Sequence, residues 1–335
     1  MKLLNNAVLF GLAGMAFSVT AAEPLTVYSY RQAFLIEPIL EKFTEQTGVD
    51  VNVVFAKDGL AERIAREGRL SPADVVLTSD FSRLIELVEK DLVSTVSSPV
   101  IEENIPAQYR SPQNDWFALT MRVRNVYSSK ERTGKIDINY QDLASDKFKG
   151  KICTRSGKHP YNVALVASMI AHDGEAKTKT WLEGVKANLA RKPQGNDRDQ
   201  VLAVKEGLCD VAIGNSYYFG NMMMDKNQKS WAEAVYINFP NQQNRGAHIN
   251  VSGMALAKYA PQKDNAVKLM EFLTSNVAQG MYAEVNMEYP VKADVAPSKL
   301  VASWGDFKAD SLPIYKLAEH HQAAVKLLDE VKFDL

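Results

Sequence analysis

Short runs of β-branched and aromatic residues alternate along this chain with longer stretches whose apolar positions recur every three or four residues. The run LTVYSY (25–30) predicts a strand. A helix, EPILEKFTEQTG, then opens at Glu37-Pro38, with proline near its first turn and Gly48 just past its end. Next come a strand VDVNVVFA (49–56), a helix from Asp58 to Glu67, a strand ADVVLTS (73–79), and a helix from Asp80 capped by Asp80 itself. This alternation predicts βαβ units and a mostly parallel sheet.

The pattern changes near residue 120. WFALTMRVRNVYSS (116–129) predicts a long alternating strand, after which a second α/β series begins. That series holds KGKICTRS (149–156), a helix NVALVASMIAHDG, a helix KTKTWLEGVKANLA and the strand LCDVAIG. A second long extended run, AVYINFPNQQNRGAHINVSGMALAK (234–258), leads back toward helices from about Gln262 to Asn286. The order predicts two α/β lobes joined by two crossing strands, with a ligand cleft between lobes that hinge.

Composition narrows the function. With 46 % apolar and 24 % charged residues the chain is an ordinary globular protein, and a net charge of −1 without a long basic run argues against a nucleic-acid partner. The first residues set Lys2 ahead of an apolar run from Ala7 to Val19 and small residues at Ala21 and Ala22, the layout of a secretory signal cleaved after Ala21 or Ala22. The run is shorter than the roughly 20 apolar residues of a membrane span, and the alternative is an N-terminal core helix. Export to a bacterial periplasm implies oxidising surroundings, so Cys153 and Cys209 are expected to pair, two buried thiols being the alternative.

The chemistry lies where strands end. In IGNSYYFG (213–220), Asn215 and Ser216 are good N-caps, so Tyr217 and Tyr218 fall in one helical turn and lean toward one point. Tyr161 occupies the same setting after KGKICTRS, and loops at the carboxyl ends of parallel strands share one rim. Such tyrosines otherwise serve as core or as a lid over a pocket. Three phenols, each ionising near about pKa 10 when unperturbed, require a strong Lewis acid to be phenolates at neutral pH. Hard oxygen donors point to Fe³⁺ rather than to Zn²⁺ or Cu, while Ca²⁺ and Mg²⁺ would call for clustered carboxylates. His320 and His321 read as a solvated helix face. Three phenolates neutralise Fe³⁺ and leave coordination positions open. A carbonate-like dianion fits there if Arg31, Arg122 and Arg124 face it, with Gln32 adding a hydrogen bond. Arg122 and Arg124 share one strand face.

These residues resemble the periplasmic ferric-iron-binding proteins of bacterial ABC importers, the bacterial transferrins. The likeness runs through LTVYSYR, DGLAERI, ADVVLTSD, CDVAIGNSYYFG, HINVSGMALAKYAP and AQGMYAEVNMEYPV. It implies the type II substrate-binding fold: a discontinuous first lobe (22–122 with about 240–300), a second lobe (123–239), and C-terminal helices (301–335) packed on them. It also implies a monomer that delivers its ion to an inner-membrane permease. The family's tyrosine ligands fall on Tyr161, Tyr217 and Tyr218. Many relatives carry a further ligand just after YSxR, where this chain has Gln32-Ala33; this favours three tyrosines plus an exogenous anion, with Tyr28 and Tyr30 as outside candidates. The competing readings are a binding protein for another small solute, its tyrosines forming a pocket wall, and an enzyme. Against the last, the chain shows no P-loop, GxSxG, HExxH or dinucleotide fingerprint.

Overall fold

The computed structural model describes residues 23–335; the expected signal segment and its cleavage after Ala21 or Ala22 lie outside them. The chain enters through β1 (Leu25–Ser29), α1 (Ala33–Thr47), β2 (Val51–Phe55), α2 (Leu60–Glu67), β3 (Val75–Thr78), α3 (Phe81–Glu89), β4 (Val93–Ser94) and α4 (Pro99–Asn104). The 13-residue strand β5 (Phe117–Ser129) leads to β6 (Ile152–Cys153), α5 (Pro160–Asp173), α6 (Glu175–Ala187), α7 (Asp197–Lys205), β7 (Val211–Asn215), α8 (Ser216–Met224), α9 (Lys229–Glu233) and β8 (Val235–Asn238). It returns through β9 (Ile249–Ala257), α10 (Lys263–Leu273), α11 (Asn276–Asn286) and β10 (Tyr289–Pro290), and ends in α12 (Lys299–Ala302), α13 (Lys316–Glu319) and α14 (His321–Glu330).

The strands line up as β2-β1-β3-β9-β5-β7-β6. The sheet is mixed rather than mostly parallel. β1 runs parallel to β2 and β3, and β6 to β7, whereas β9 and β5 run against their neighbours. Those antiparallel partners are the connecting strands, which must run back toward where they started. Within β5 the partner changes: Phe117–Val123 pair with β9, and Arg124–Ser128 pair with β7. One strand thus serves two sheets, and the switch falls between Val123 and Arg124.

Two boundaries differ from expectation. Helix α1 begins at Ala33, four residues before Glu37, and carries Pro38 inside it. Its buried stripe is Ile36, Ile39, Leu40 and Phe43, a 3.6-residue spacing that starts ahead of the proline, so packing overrides the single hydrogen bond proline removes. The second long extended run is broken between β8 and β9. Pro240 donates no hydrogen bond there, Asn241 adopts φ 60°, and Gly246 at φ 94° lies where a Cβ would meet the Ala309 carbonyl oxygen at 2.6 Å.

The cysteines are bonded, Cys153 to Cys209, with Cα atoms 5.9 Å apart, which fastens β6 to the segment entering β7. Leu327, Leu328, Val331 and Phe333 from the last helix and tail pack into the apolar cluster built on β6, β7 and α5. Asp334 accepts hydrogen bonds from Gly157 N (2.7 Å) and Ser156 Oγ (2.6 Å), holding the loop that precedes α5. Among the described residues, no helix is long and apolar enough to cross a membrane.

Candidate metal centre

A cavity of about 430 Å³ opens where β1, β5, α5, α7 and α8 converge with the end of α11. Tyr161, Tyr217 and Tyr218 line one side of it, and Arg31, Gln32, Arg122 and Glu288 are also in its wall.

Each tyrosine is set by its backbone. Tyr161 is the second residue of α5, after Pro160, and its N–H donates to His159 Nδ1 at 3.2 Å. Burial, helped by Arg155 and Arg124, lowers the His159 pKa to about 3, so the ring stays a neutral acceptor. Tyr217 and Tyr218 occupy the first turn of α8, as the residue order suggested. The two expected cap side chains, however, are used elsewhere. Asn215 Oδ1 accepts from Arg124 at 3.1 Å, and Ser216 Oγ accepts from Val123 N at 3.1 Å, at the residue where β5 changes sheets.

Two of the phenol oxygens meet, and the third ring packs against one of them. The hydroxyl oxygens of Tyr161 and Tyr217 lie 3.3 Å apart, and the rings of Tyr217 and Tyr218 are 4.1 Å apart at 32°. Burial pushes the Tyr161 phenol up, the neighbouring Tyr218 adds to this, and Arg122 opposes it. Tyr217 is likewise pushed well above the ordinary phenol value by burial and then by Tyr161 and Tyr218. Like charges at one point resist ionising together. Tyr161 and Tyr217 are therefore held protonated at neutral pH in the metal-free protein.

The opposite wall departs in part from the sequence reading. Arg31 follows a turn in which Ser29 Oγ accepts from Arg31 N (3.0 Å) and donates to Arg31 O (2.9 Å). Its Nη2 donates to Glu288 Oε2 at 2.6 Å, an acceptor that Thr120 Oγ1 also reaches at 2.6 Å. Arg122 donates to the Ser79 carbonyl and lies 3.6 Å from Glu288, while its Nε and Nη1, both buried, have no hydrogen-bond partner. Gln32 is in the wall. Arg124 is not: its two terminal nitrogens bind Asp197 (2.6 Å), Asn215 and Asn162 (2.7 Å) beneath the tyrosines, and the residue does not line the cavity where an anion would sit. Tyr28 is also elsewhere, its hydroxyl donating to Glu67, and Tyr30 touches the cavity but its oxygen accepts from Ala61 N. His320 and His321 are half-buried at the α13–α14 junction rather than on a fully solvated face. Among the described residues no cluster of three His, Cys, Asp or Glu is placed to hold a metal.

Several lining residues were not read from the sequence, Arg198, Asn286 and Glu288 among them. Arg198, on the first turn of α7, lies over the Tyr218 ring at 5.6 Å. Its helix is short and charged and escaped an apolar periodicity search, although Asn196 and Asp199 form a capping box that marks its start. Glu288 and Asn286 arrive from the far end of the chain, and both amide atoms of the buried Asn286 are unpartnered.

The chain as a whole matches known proteins. The model for bacterial extracellular solute-binding proteins matches residues 28–280. The chain belongs to that family. Among curated relatives, this solute-binding protein is similar to iron uptake protein A1 of Synechocystis, 42 % identical over 92 % of this chain and 87 % of that one. Among solved structures it is similar to the ferric iron-binding protein A of Mannheimia haemolytica in an open conformation, with 55 % identity, TM-score 0.91, and coverage of 94 % and 100 % of the two chains. It is similar as well to a Trichodesmium protein solved in complex with iron and citrate ligands, with 36 % identity, TM-score 0.89, and coverage of 92 % and 99 %. The solute-binding fold, two sheets sharing a long strand with a cavity at the switch, is therefore the frame on which these tyrosines are presented.

Proposed function

We propose that this solute-binding protein captures Fe³⁺ through the phenolates of Tyr161, Tyr217 and Tyr218, carries it through a bacterial periplasm as a monomer, and delivers it to an inner-membrane ABC permease without performing chemistry. The observation that carries this reading is the convergence of three phenols, two of their oxygens 3.3 Å apart, in a site without His, Cys or carboxylate clusters among the described residues. Hard anionic oxygens favour a hard trivalent cation. The names of the relatives support the same cargo.

A small dianion such as carbonate completes the coordination. Three phenolates cancel the charge of Fe³⁺, while Arg31, Arg122 and Arg198 outnumber Glu288 by two positive charges in the same wall. A doubly charged anion balances that excess, and two Arg122 donors that make no hydrogen bond could receive it, Nε and the Nη1 that lies 3.6 Å from Glu288. The same free donors would suit an organic anion without metal, the competing reading. The lobe division, 22–122 with about 240–300 against 123–239, is supported by the sheet switch between Val123 and Arg124.

Ferric ion bound to tyrosinate absorbs visible light. Purified protein mixed with ferric citrate and freed of excess should be coloured, and should bleach with a chelator and reductant. Colourless protein with no thermal stabilisation would remove iron as the cargo, and stabilisation by citrate alone would favour the organic anion.

A further inference from the structure

Beneath the tyrosines lies a buried polar group that does not line the cavity. Arg124 is 1 % exposed and Asp197 is fully buried. Nη1 of Arg124 donates to Asp197 Oδ2 (2.6 Å) and to Asn215 Oδ1 (3.1 Å), and Nη2 donates to Asn162 Oδ1 (2.7 Å). Asp197 Oδ2 also accepts from Asn215 N at 2.8 Å, and Oδ1 accepts from Arg155 Nη1 at 3.3 Å. Asn162 is the residue after Tyr161, and Asn215 stands two before Tyr217. Asn162 further donates to Thr154 Oγ1, Arg155 O and Ser156 O, tying the start of α5 to the exit of β6. Tyr127 donates to Asn215 O at 2.7 Å from below. The two tyrosine-bearing turns thus share one forked cation, which the Asp197 carboxylate holds in place.

A buried ion pair is weak grounds for stability, since apolar residues of similar volume often serve as well. The arrangement is better explained by geometry. A guanidinium presents donors in a rigid plane, so its two arms hold two acceptors at a fixed separation, which an ammonium does not. Here those acceptors belong to the residues adjoining Tyr161 and Tyr217. We propose that Arg124 and Asp197 are positioning residues, a staple that sets the α5 and α8 turns in register so that the phenol oxygens meet at one point. This rests on the ferric reading above for its functional meaning.

The test uses Asp197→Asn and Arg124→Lys in the full chain, with iron affinity and the visible tyrosinate–iron band as readouts. Outer-shell partners of metal ligands typically contribute about 10- to 100-fold in affinity. Both variants should fold by circular dichroism, lose iron affinity in that range, and show a shifted or weakened band. Asp210→Asn, which breaks the surface ion pair with Arg132 in the same part of the molecule, should leave affinity and band unchanged. Arg124→Lys retains the charge but not the fork, so it decides the matter if Asp197→Asn does not fold. Affinity within threefold of the parent with an identical band in the folded variants overturns the assignment. So does failure of both to fold, which would make the pair a folding element. A parent protein without colour instead overturns the ferric reading and is recognised before any variant is made.

Discussion

Replacing Tyr217 by phenylalanine removes one oxygen and leaves the ring stacked on Tyr218, so it isolates the phenolate. In the metal-free protein the loss is a single hydrogen bond to Tyr161, worth about 1 kcal/mol or less. In a chain of this size that should move the melting temperature by no more than about 3 °C. Metal binding should change far more. With two phenolates the Fe³⁺ site keeps one uncancelled positive charge facing a wall that is already positive. The guanidinium of Arg122 lies 5.6 Å from the Tyr161 ring centre. For two unit charges about 6 Å apart in an effective dielectric of about 20, the repulsion is about 3 kcal/mol, roughly a hundredfold in affinity. The assay is competition for iron against a chelator of known strength, followed by the visible band and paired with calorimetric melting of the metal-free protein. Affinity falling by two decades or more with an unmoved melting temperature is the expected result. Affinity within threefold of the parent would return Tyr217 to the role of a pocket wall.

Other consequences follow from the same contacts. Because the Tyr161 and Tyr217 phenols are held above their ordinary pKa in the metal-free state, iron displaces protons, and affinity should climb as pH rises and fall as it drops, with a slope of up to about three decades per pH unit; a pH-independent constant between pH 6 and 8 would contradict this. Arg122→Leu should weaken iron binding in carbonate buffer while leaving binding in anion-free buffer nearly unchanged, read by titration in both; equal loss in the two would remove the arginine from anion binding. Arg31→Met strands the buried carboxylate of Glu288 and should destabilise the metal-free protein by about 3–5 kcal/mol in urea unfolding, whereas Arg31→Met with Glu288→Gln should recover part of that loss. Cys153→Ser opens a bridge spanning 56 residues and should lower stability by about 4 kcal/mol on the chain-entropy estimate; unfolding that is indifferent to reductant in the parent would show the bridge to be dispensable.

The gathering of the three tyrosines in one cavity was legible because its signal is local. A strand end, a loop and a helix start place each tyrosine, and the spacing within SYYFG puts two on one turn whatever the rest of the chain does. Arg31 and Gln32 follow β1 for the same reason and do reach the cavity. The arginine pair on β5 shows where local reading stops. Alternation puts Arg122 and Arg124 on one face, and both guanidinium groups lie near the Tyr161 ring, at 5.6 and 5.9 Å. What alternation does not encode is that the strand exchanges β9 for β7 between them. Pairing partners are set by tertiary structure, so one arginine faces the cavity and the other is locked under the tyrosines. Arg198 and Glu288 were missed on similar grounds. One sits on a short polar helix without apolar period, and the other comes from a segment more than 250 residues beyond Arg31, with which it pairs.

The electrostatics also explain why a site so rich in tyrosine needs arginine. Without arginine, three neighbouring phenols would ionise only against their mutual repulsion, and the trivalent ion alone would have to overcome it. Guanidinium groups of Arg122, Arg124 and Arg155 surround the Tyr161 ring at 5.4 to 5.9 Å, and Arg122 pulls the phenol back toward ionisation. Yet the same cations disfavour the approach of Fe³⁺ to a site whose phenols still hold their protons. The two demands are reconciled if proton loss, metal entry and anion entry occur together, since only the full set leaves the cavity near neutral. Affinity should then be steep in pH and in anion at once, and a variant that blunts one dependence should blunt the other. A protein whose pH slope survives Arg122→Leu unchanged, while its anion dependence disappears, would show that the two are separate after all.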